Sequence, residues 1–343
     1  MKAGRFVRLR SPPAIEEVER PTLQNPDEVI VRVAGAGVCR TDIHILDGEA
    51  PLQPPPRPPF TLGHENAGWI DEVGSRVTTV RRGDPVLLHP AVTCGLCSPC
   101  RRGDDMYCAS IRFPGVDGSD GGYAEYLRTS IRAVVPLSPG TEPAGLSPLA
   151  DAGITAYHAV RRLAGSVRPG SVVLVLGVGG LGHLGIQLVR AMTPARVFAA
   201  DNRPDRLRFA EEVGAEGGFL TDDPAFVDSI RAACGGEGVD AVIDFVGEAT
   251  TPDLALGVLR RGGTYSIVGY GGVLTVPTVS MITQEYRLLG NFVGTYTDLT
   301  ELVSLAQRGI VRVHTRTYPL EKVAEAVDDL RHGRVVGRAV LVP

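Results

Sequence analysis

The sequence predicts an α/β protein in two parts: a β-rich part, and a part built on a doubly wound parallel sheet. Three observations carry that reading. Up to about residue 150, apolar residues alternate in short runs bounded by Gly and Pro, the pattern of half-buried strands. From about Ala152, strand-like runs alternate with helical periods of about ten to fifteen residues, which builds βαβ units. The length, 343 residues, suits two ordinary domains with cores large enough to need no disulfides.

In order along the chain, residues 28–33 (Glu-Val-Ile-Val-Arg-Val) and 67–73 (Ala-Gly-Trp-Ile-Asp-Glu-Val) read as strands. Six prolines between Pro51 and Pro59 exclude regular structure, so an irregular surface loop is expected there. Residues 171–176 form a buried apolar strand, and 182–192 have helical spacing. A strand over 197–200, a helix over 203–213 and a strand over 239–244 follow. Residues 253–260 read as a helix and 263–268 as a strand. After about Asn291 come helices over 298–308 and 320–332, and a closing strand over 337–342. No internal repeat is present.

Composition removes several functions. Net charge is −4, which disfavours nucleic acid or an anionic membrane as the main partner. The N-terminus lacks an apolar signal segment and no apolar run is long enough to span a membrane, so a cytoplasmic protein is expected. Only Lys2 and Lys322 are lysines among the 35 basic residues. Neither is set for a Schiff base or a Gly-Lys-Ser/Thr phosphate loop.

Four of the 6 cysteines crowd together: Cys94, Cys97, Cys100 and Cys108. In a chain of this size without a secretory signal, such clustering points to metal more than to disulfides. Four thiolates close a tetrahedral zinc site and leave no position for substrate, so this site is expected to be structural. Cys234 has no partner pattern and reads as an inert thiol.

Gly177-Val178-Gly179-Gly180-Leu181-Gly182 follows an apolar strand and opens a helix. Its glycines allow a sharp turn and close approach of a pyrophosphate to the helix N-terminus. An acid is expected about 20 residues on, to bind ribose hydroxyls, and Asp201 supplies it. Dinucleotide binding is the expected function of this turn, with NAD rather than NADP because a 2′-phosphate would face the aspartate. Arg203 and Arg206 are the counter-argument, since either could neutralise a phosphate.

Gly37-Val38-Cys39-Arg40-Thr41-Asp42-Ile43-His44 and Gly63-His64-Glu65-Asn66-Ala67-Gly68 resemble the zinc-containing medium-chain alcohol dehydrogenase family. The four-cysteine lobe, Ala152-Gly153-Ile154-Thr155-Ala156-Tyr157, the glycine turn and Gly337-Arg338 match in the family's order, over essentially the whole chain. The resemblance implies a GroES-like catalytic domain from 1–151 and 292–343 around an inserted Rossmann domain, 152–291. It implies two zinc ions and a primary or secondary alcohol, ketone or aldehyde as substrate, in a homodimer or homotetramer.

It also implies residue roles. Cys39, His64 and Asp151 become ligands of a catalytic zinc. Asp151 stands where alcohol dehydrogenases with a Cys₂His catalytic site have a second cysteine; similar bacterial secondary-alcohol dehydrogenases carry aspartate there. Glu65 becomes a transient ligand or a partner behind the ligands, and Asp42 orients His64. Thr41 takes the alcohol proton, which passes by way of the cofactor ribose to His44. Arg40 and Arg338 hold the pyrophosphate. Thr155 and the backbone at Val246, Gly269 and Val293 flank the nicotinamide, while His89, Phe113, Tyr270 and Tyr296 are candidates for the substrate pocket. Residues 273–283 are a candidate edge for subunit pairing.

Two competing readings are weighed. A second dehydrogenase class uses Tyr-x-x-x-Lys on one helix, and Tyr318 to Lys322 fits the string, but Pro319 disfavours helix at Tyr318. A family member with a dead site would have lost a ligand, and here the set Cys39, Thr41, His44, His64 and Asp151 is complete.

Overall fold

The protein is described by a computed structural model covering residues 1–50 and 54–343. The first three residues of the proline tract, 51–53, therefore lie outside the described residues. The rest of that tract, 54–59, is irregular up to the short strand Phe60–Thr61. The chain forms two compact units. The first comprises Met1–Ile154, Thr295–Gln307 and Val313–Pro343; the second comprises Thr155–Gly294 and Arg308–Arg312. The short segment Arg308–Arg312 thus packs with the second unit, which no sequence pattern had signalled.

The first unit is β-rich. Its larger sheet runs Thr315–Pro319, Arg338–Val342, Glu28–Val38, Glu65–Val73, Pro85–Leu88 and Val134–Pro136, with Tyr126–Ser130 also paired to Glu28–Val38. The strand Glu28–Val38 is its hub. Only Arg32 is exposed along it, and it is fully buried from Val33 to Val38, so its end points into protein. Its pairing with Glu65–Val73 sets Gly37 opposite Glu65. A Cβ at Gly37 would come 1.9 Å from a Glu65 carboxylate oxygen, so only glycine permits this register. A core of Phe6, Val29, Val31, Ile70, Tyr123, Leu127 and Leu341 lies against the sheet. Immediately after the hub strand the chain enters the helix Arg40–Asp47.

The second unit carries a parallel sheet of six strands. Its order is Gly218–Leu220, Arg196–Asp201, Val172–Leu176, Val239–Asp244, Leu259–Ile267, Arg287–Gly290. The order runs outward in both directions from the first strand in sequence, as in doubly wound nucleotide-binding sheets. Val172–Leu176 is buried throughout because both sheet faces are covered, and this explains its unbroken apolar run.

One expectation needs correction here. The helix read over 253–260 is Thr251–Val258, and the strand begins at Leu259, not at residue 263. Leu259 pairs with Val239, and the register then shifts before Ala241 pairs with Thr264. The positive φ of Gly262 lies within that interruption. Within residues 273–283, the candidate region for subunit pairing, Thr278–Gln284 is helical, and Arg287–Gly290 is one of the two edge strands of this sheet.

Candidate active site and metal centres

The helix Arg40–Asp47 starts at Cys39, whose amide donates to the Asp42 carboxylate at 2.8 Å. That bond satisfies one of the unpaired donors of a helix start and fixes Cys39 beside the hub strand. His64 precedes the paired strand Glu65–Val73, so register brings both segments together. Cys39 Sγ lies 3.6 Å from Asp151 Oδ2, and His64 Nε2 lies 3.5 Å from the same oxygen. Ligand atoms of Cys39, His64, Glu65 and Asp151 all fall within 4.8 Å of one another. Zinc bonds of about 2.0 to 2.3 Å at tetrahedral angles separate ligands by roughly 3.3 to 3.8 Å, so the Cys39, His64 and Asp151 donors fit one ion.

Charge supports the fit. The carboxylates of Asp42, Glu65 and Asp151 gather here with the Cys39 sulfur, and Arg338 is the guanidinium paired with them. Burial disfavours a charged His64, yet Asp42, with Asp151 and Cys39, outweighs it and holds the imidazole well above its ordinary value. A metal-free cluster with that preference is short of a cation. Glu65 Oε2 is buried with no hydrogen-bond partner among the described residues, and its Oε1 accepts from the Ala152 amide at 3.1 Å.

Arg338 requires a correction of emphasis. Expected at the pyrophosphate, it is only 3% exposed and donates to Glu65. A buried guanidinium needs a counter-charge, and Glu65 provides it. Arg40 is exposed. Thr41 Oγ1 is 3.7 Å from Cys39 Sγ, and His44 follows one helical turn later on the same face. Asp42, expected to orient His64, lies 3.5 Å from its Nδ1.

The second cluster brings together Cys94, Cys97, Cys100 and Cys108. Amides of Leu96 and Cys97 point at Cys94 Sγ at 3.4 Å, and the Cys94 amide at Cys108 Sγ at 3.2 Å. Such bonds favour thiolates: the Leu96 and Cys97 amides hold Cys94 below its ordinary value, and the Cys100 and Ala109 amides bring Cys97 down to about 6. Burial together with the neighbouring thiols pushes Cys100 up to about 12, as expected when sulfurs share one small volume without a metal. Cys234, far along the chain, is a partly buried thiol outside both clusters.

In the second unit, Gly177 has φ +88 and a Cβ there would meet Val246 Cγ2 at 2.5 Å. A Cβ at Gly182 would stand 1.9 Å from the Gly177 carbonyl oxygen. Gly179 differs: a Cβ there meets nothing within 4 Å, so this glycine keeps space open for something other than protein. With Gly180 and Leu181 it leads into the helix Gly182–Met192, whose N-terminus carries no side-chain cap bond and suits an anion. The residues present therefore fit a pyrophosphate.

Asp201 ends the neighbouring strand and accepts from the amides of Val178, at 2.7 Å, and Arg203, at 3.1 Å. Arg203 makes a two-point pair with Asp205, at 3.0 and 2.6 Å. Arg206 is buried, and burial above all lowers its pKa. Gly269 approaches Val246 so closely that a Cβ would lie 2.2 Å from its carbonyl carbon. Val293 holds φ +41, a strained conformation for a β-branched residue, and Thr155 is buried.

The pocket candidates divide. His89 and Tyr296 meet in the first unit, ring centroids 6.3 Å apart, with Tyr296 Oη donating to the Val134 carbonyl. Phe113 packs on the apolar core, and Tyr270, in the second unit, is 40% exposed. Tyr318 donates to Asp329 while Lys322 pairs with Glu325, so the Tyr-x-x-x-Lys string forms no joint site.

Residues 25–139 match the alcohol dehydrogenase GroES-like domain family, and 180–308 match the zinc-binding dehydrogenase family. The chain is 33% identical over 351 residues to an NAD-dependent alcohol dehydrogenase of Sulfurisphaera tokodaii, covering all of both chains. The chain belongs to the zinc-containing medium-chain alcohol dehydrogenases. This family of oxidoreductases includes a solved alcohol dehydrogenase of Aeropyrum pernix, 45% identical with TM-score 0.95 and both chains covered in full. It also includes a D-arabinose 1-dehydrogenase (NADP(+)) of Saccharolobus solfataricus, 33% identical over 348 residues, all of this chain and 97% of that one. Sequence reasoning missed Tyr123, which donates to Asp42 at 2.7 Å; the pair Gly121-Gly122 before it was the available signal.

Proposed function

We propose that this dehydrogenase carries two zinc ions of different kinds and moves a hydride between a primary or secondary alcohol and NAD(H). The observation that carries it is the meeting of Asp151 with Cys39 and His64, three donors at zinc-ligand separations, beside a separate four-cysteine cluster. When bound, zinc supplies Lewis-acid polarisation of the alcohol oxygen and NAD the hydride acceptor. Cys39, His64 and Asp151 would hold one metal and leave room for substrate, while Cys94, Cys97, Cys100 and Cys108 would enclose the other. A carboxylate gives less charge to a metal than a thiolate, so Asp151 would leave it more electrophilic.

Thr41 accepts the substrate hydroxyl proton as it passes its own hydroxyl proton on, and His44, partly exposed on the same helix face, exchanges the relayed proton with solvent. Arg338 donates to Glu65 and offsets part of the burial that pushes its carboxyl up, placing it behind the ligands. Gly177, Gly179, Gly180, Leu181 and Gly182 cradle the pyrophosphate, and Asp201 takes the ribose hydroxyls. Thr155, Val246, Gly269 and Val293 form the nicotinamide side.

The same reading makes the protein a cytoplasmic homodimer or homotetramer. The open edge of Arg287–Gly290 and the exposed Val273, Val279 and Ile282 support pairing of copies. An NADP-dependent reductase is the second reading, favoured by the arabinose dehydrogenase relative.

The test is metal content together with absorbance at the NADH band using 2-butanol and a simple ketone. Two zincs per chain are expected, and Asp151→Ala should lose one of them with all turnover. One zinc in a fully active enzyme, or two zincs and full activity in Asp151→Ala, would overturn the proposal.

A further inference from the structure

We propose that Tyr123 is a positioning residue for the catalytic metal, acting through Asp42 on Cys39 and His64 together. The inference rests on reading Cys39 and His64 as ligands. Tyr123 is fully buried, and its hydroxyl donates to Asp42 Oδ2 at 2.7 Å. The Gly37 carbonyl is farther, at 3.3 Å, so the single hydroxyl proton goes to the carboxylate. The same Oδ2 accepts from the Cys39 amide at 2.8 Å.

That leaves Oδ1. It faces His64 Nδ1 at 3.5 Å, and among the described residues neither atom has a hydrogen-bond partner of its own. A carboxylate pinned at Oδ2 from two sides can turn Oδ1 in one direction only, towards the imidazole. This selects the tautomer with the proton on Nδ1 and leaves Nε2 for the metal.

The backbone around Tyr123 anchors the other ligand segment. The amides of Gly121, Gly122 and Tyr123 donate to the carbonyls of Thr61, Gly63 and Leu62 at 2.8, 2.8 and 2.9 Å, immediately before His64. Gly122 admits no side chain, because a Cβ would lie 1.9 Å from Asn66 Oδ1. Besides the strand pairing, Tyr123 therefore ties the segment carrying Cys39 to the segment carrying His64 a second time.

The test uses the zinc-loaded full chain, titrated with a chromogenic zinc chelator. Cys39→Ser first identifies the catalytic zinc as the one it lacks. If Cys39→Ser still releases two zincs, the ligand reading fails by itself, whatever Tyr123 does. Tyr123→Phe should weaken that zinc about tenfold, the lower end for partners of metal ligands, with the other zinc unchanged. In an Asp42→Asn background the same substitution should change affinity by less than about twofold, because coupled residues are non-additive. Wild-type zinc affinity in Tyr123→Phe, equal weakening of both zincs, or an undiminished effect in Asp42→Asn would each overturn the proposal.

Discussion

Replacing Asp201 by Ser should convert a strong preference for NAD into a weak one. In the wild type, Asp201 accepts two backbone amides, from Val178 and Arg203, which leaves lone pairs for both ribose hydroxyls. A 2′-phosphate seated there comes within about 4 Å of the carboxylate, where one unit of like charge costs about 4 kcal/mol at an effective dielectric of 20. Halved for solvent access and salt, the penalty is still about 2 kcal/mol, roughly thirtyfold in affinity. Arg203 does not cancel it, because its guanidinium is already held by Asp205 at 2.6 Å. That pair is half exposed and adds little stability, but it occupies one of the two cations a phosphate could use; the other, Arg206, is buried. The assay is kcat/KM for NAD and NADP with one alcohol. Wild type should favour NAD by at least about thirtyfold, the ratio that this repulsion sets. Asp201→Ser should narrow the gap, and Asp201→Ser with Asp205→Asn should narrow it further. A wild-type preference for NADP, or an unchanged ratio in Asp201→Ser, would refute the reasoning.

Three further outcomes are expected. Gly179→Ala should keep its melting temperature, since the added carbon touches no protein atom, yet bind NADH at least about tenfold more weakly by fluorescence titration; normal binding would show that the open space is not a phosphate cradle. Thr41→Val should lower kcat by about a hundredfold or more with zinc content intact, and Thr41→Ser should recover most of it, whereas a Val variant with wild-type kcat removes Thr41 from the proton path. Burial works against the Asp117 charge, but the Ser119 hydroxyl and amide, the Phe113 amide and Arg112 outweigh it and hold the carboxylate below its ordinary value. Its stabilisation is therefore complete above the unfolded value and lost as pH falls through the lower folded one. Urea midpoints of wild type and Asp117→Asn should differ at pH 7 and converge in acid; a constant difference would contradict this.

What lay in the sequence was whatever depends on neighbours along the chain. The glycine turn, its flanking strand and helix, and Asp201 form one βαβ segment, so their spacing is set by strand length, turn geometry and helix pitch. The four cysteines fall within one short lobe, and their separation alone indicates a metal. The Cys39, His64 and Asp151 set was legible only through the family pattern, because 112 residues separate Cys39 from Asp151 and no local spacing relates them.

Tertiary structure decided the rest. Arg338 meets Glu65 across 273 residues, and Tyr123 meets Asp42 across 81. The first depends on the register that sets Gly37 opposite Glu65, and a slip of one residue would turn the Glu65 side chain to the other face. Arg203 looked, in sequence, like a cation available to a phosphate; the fold gives it to Asp205. Local geometry writes the turn and the cysteine lobe into consecutive residues. Partnerships among buried charges are settled only when sheet pairing removes water and each charge must take the counter-charge within reach.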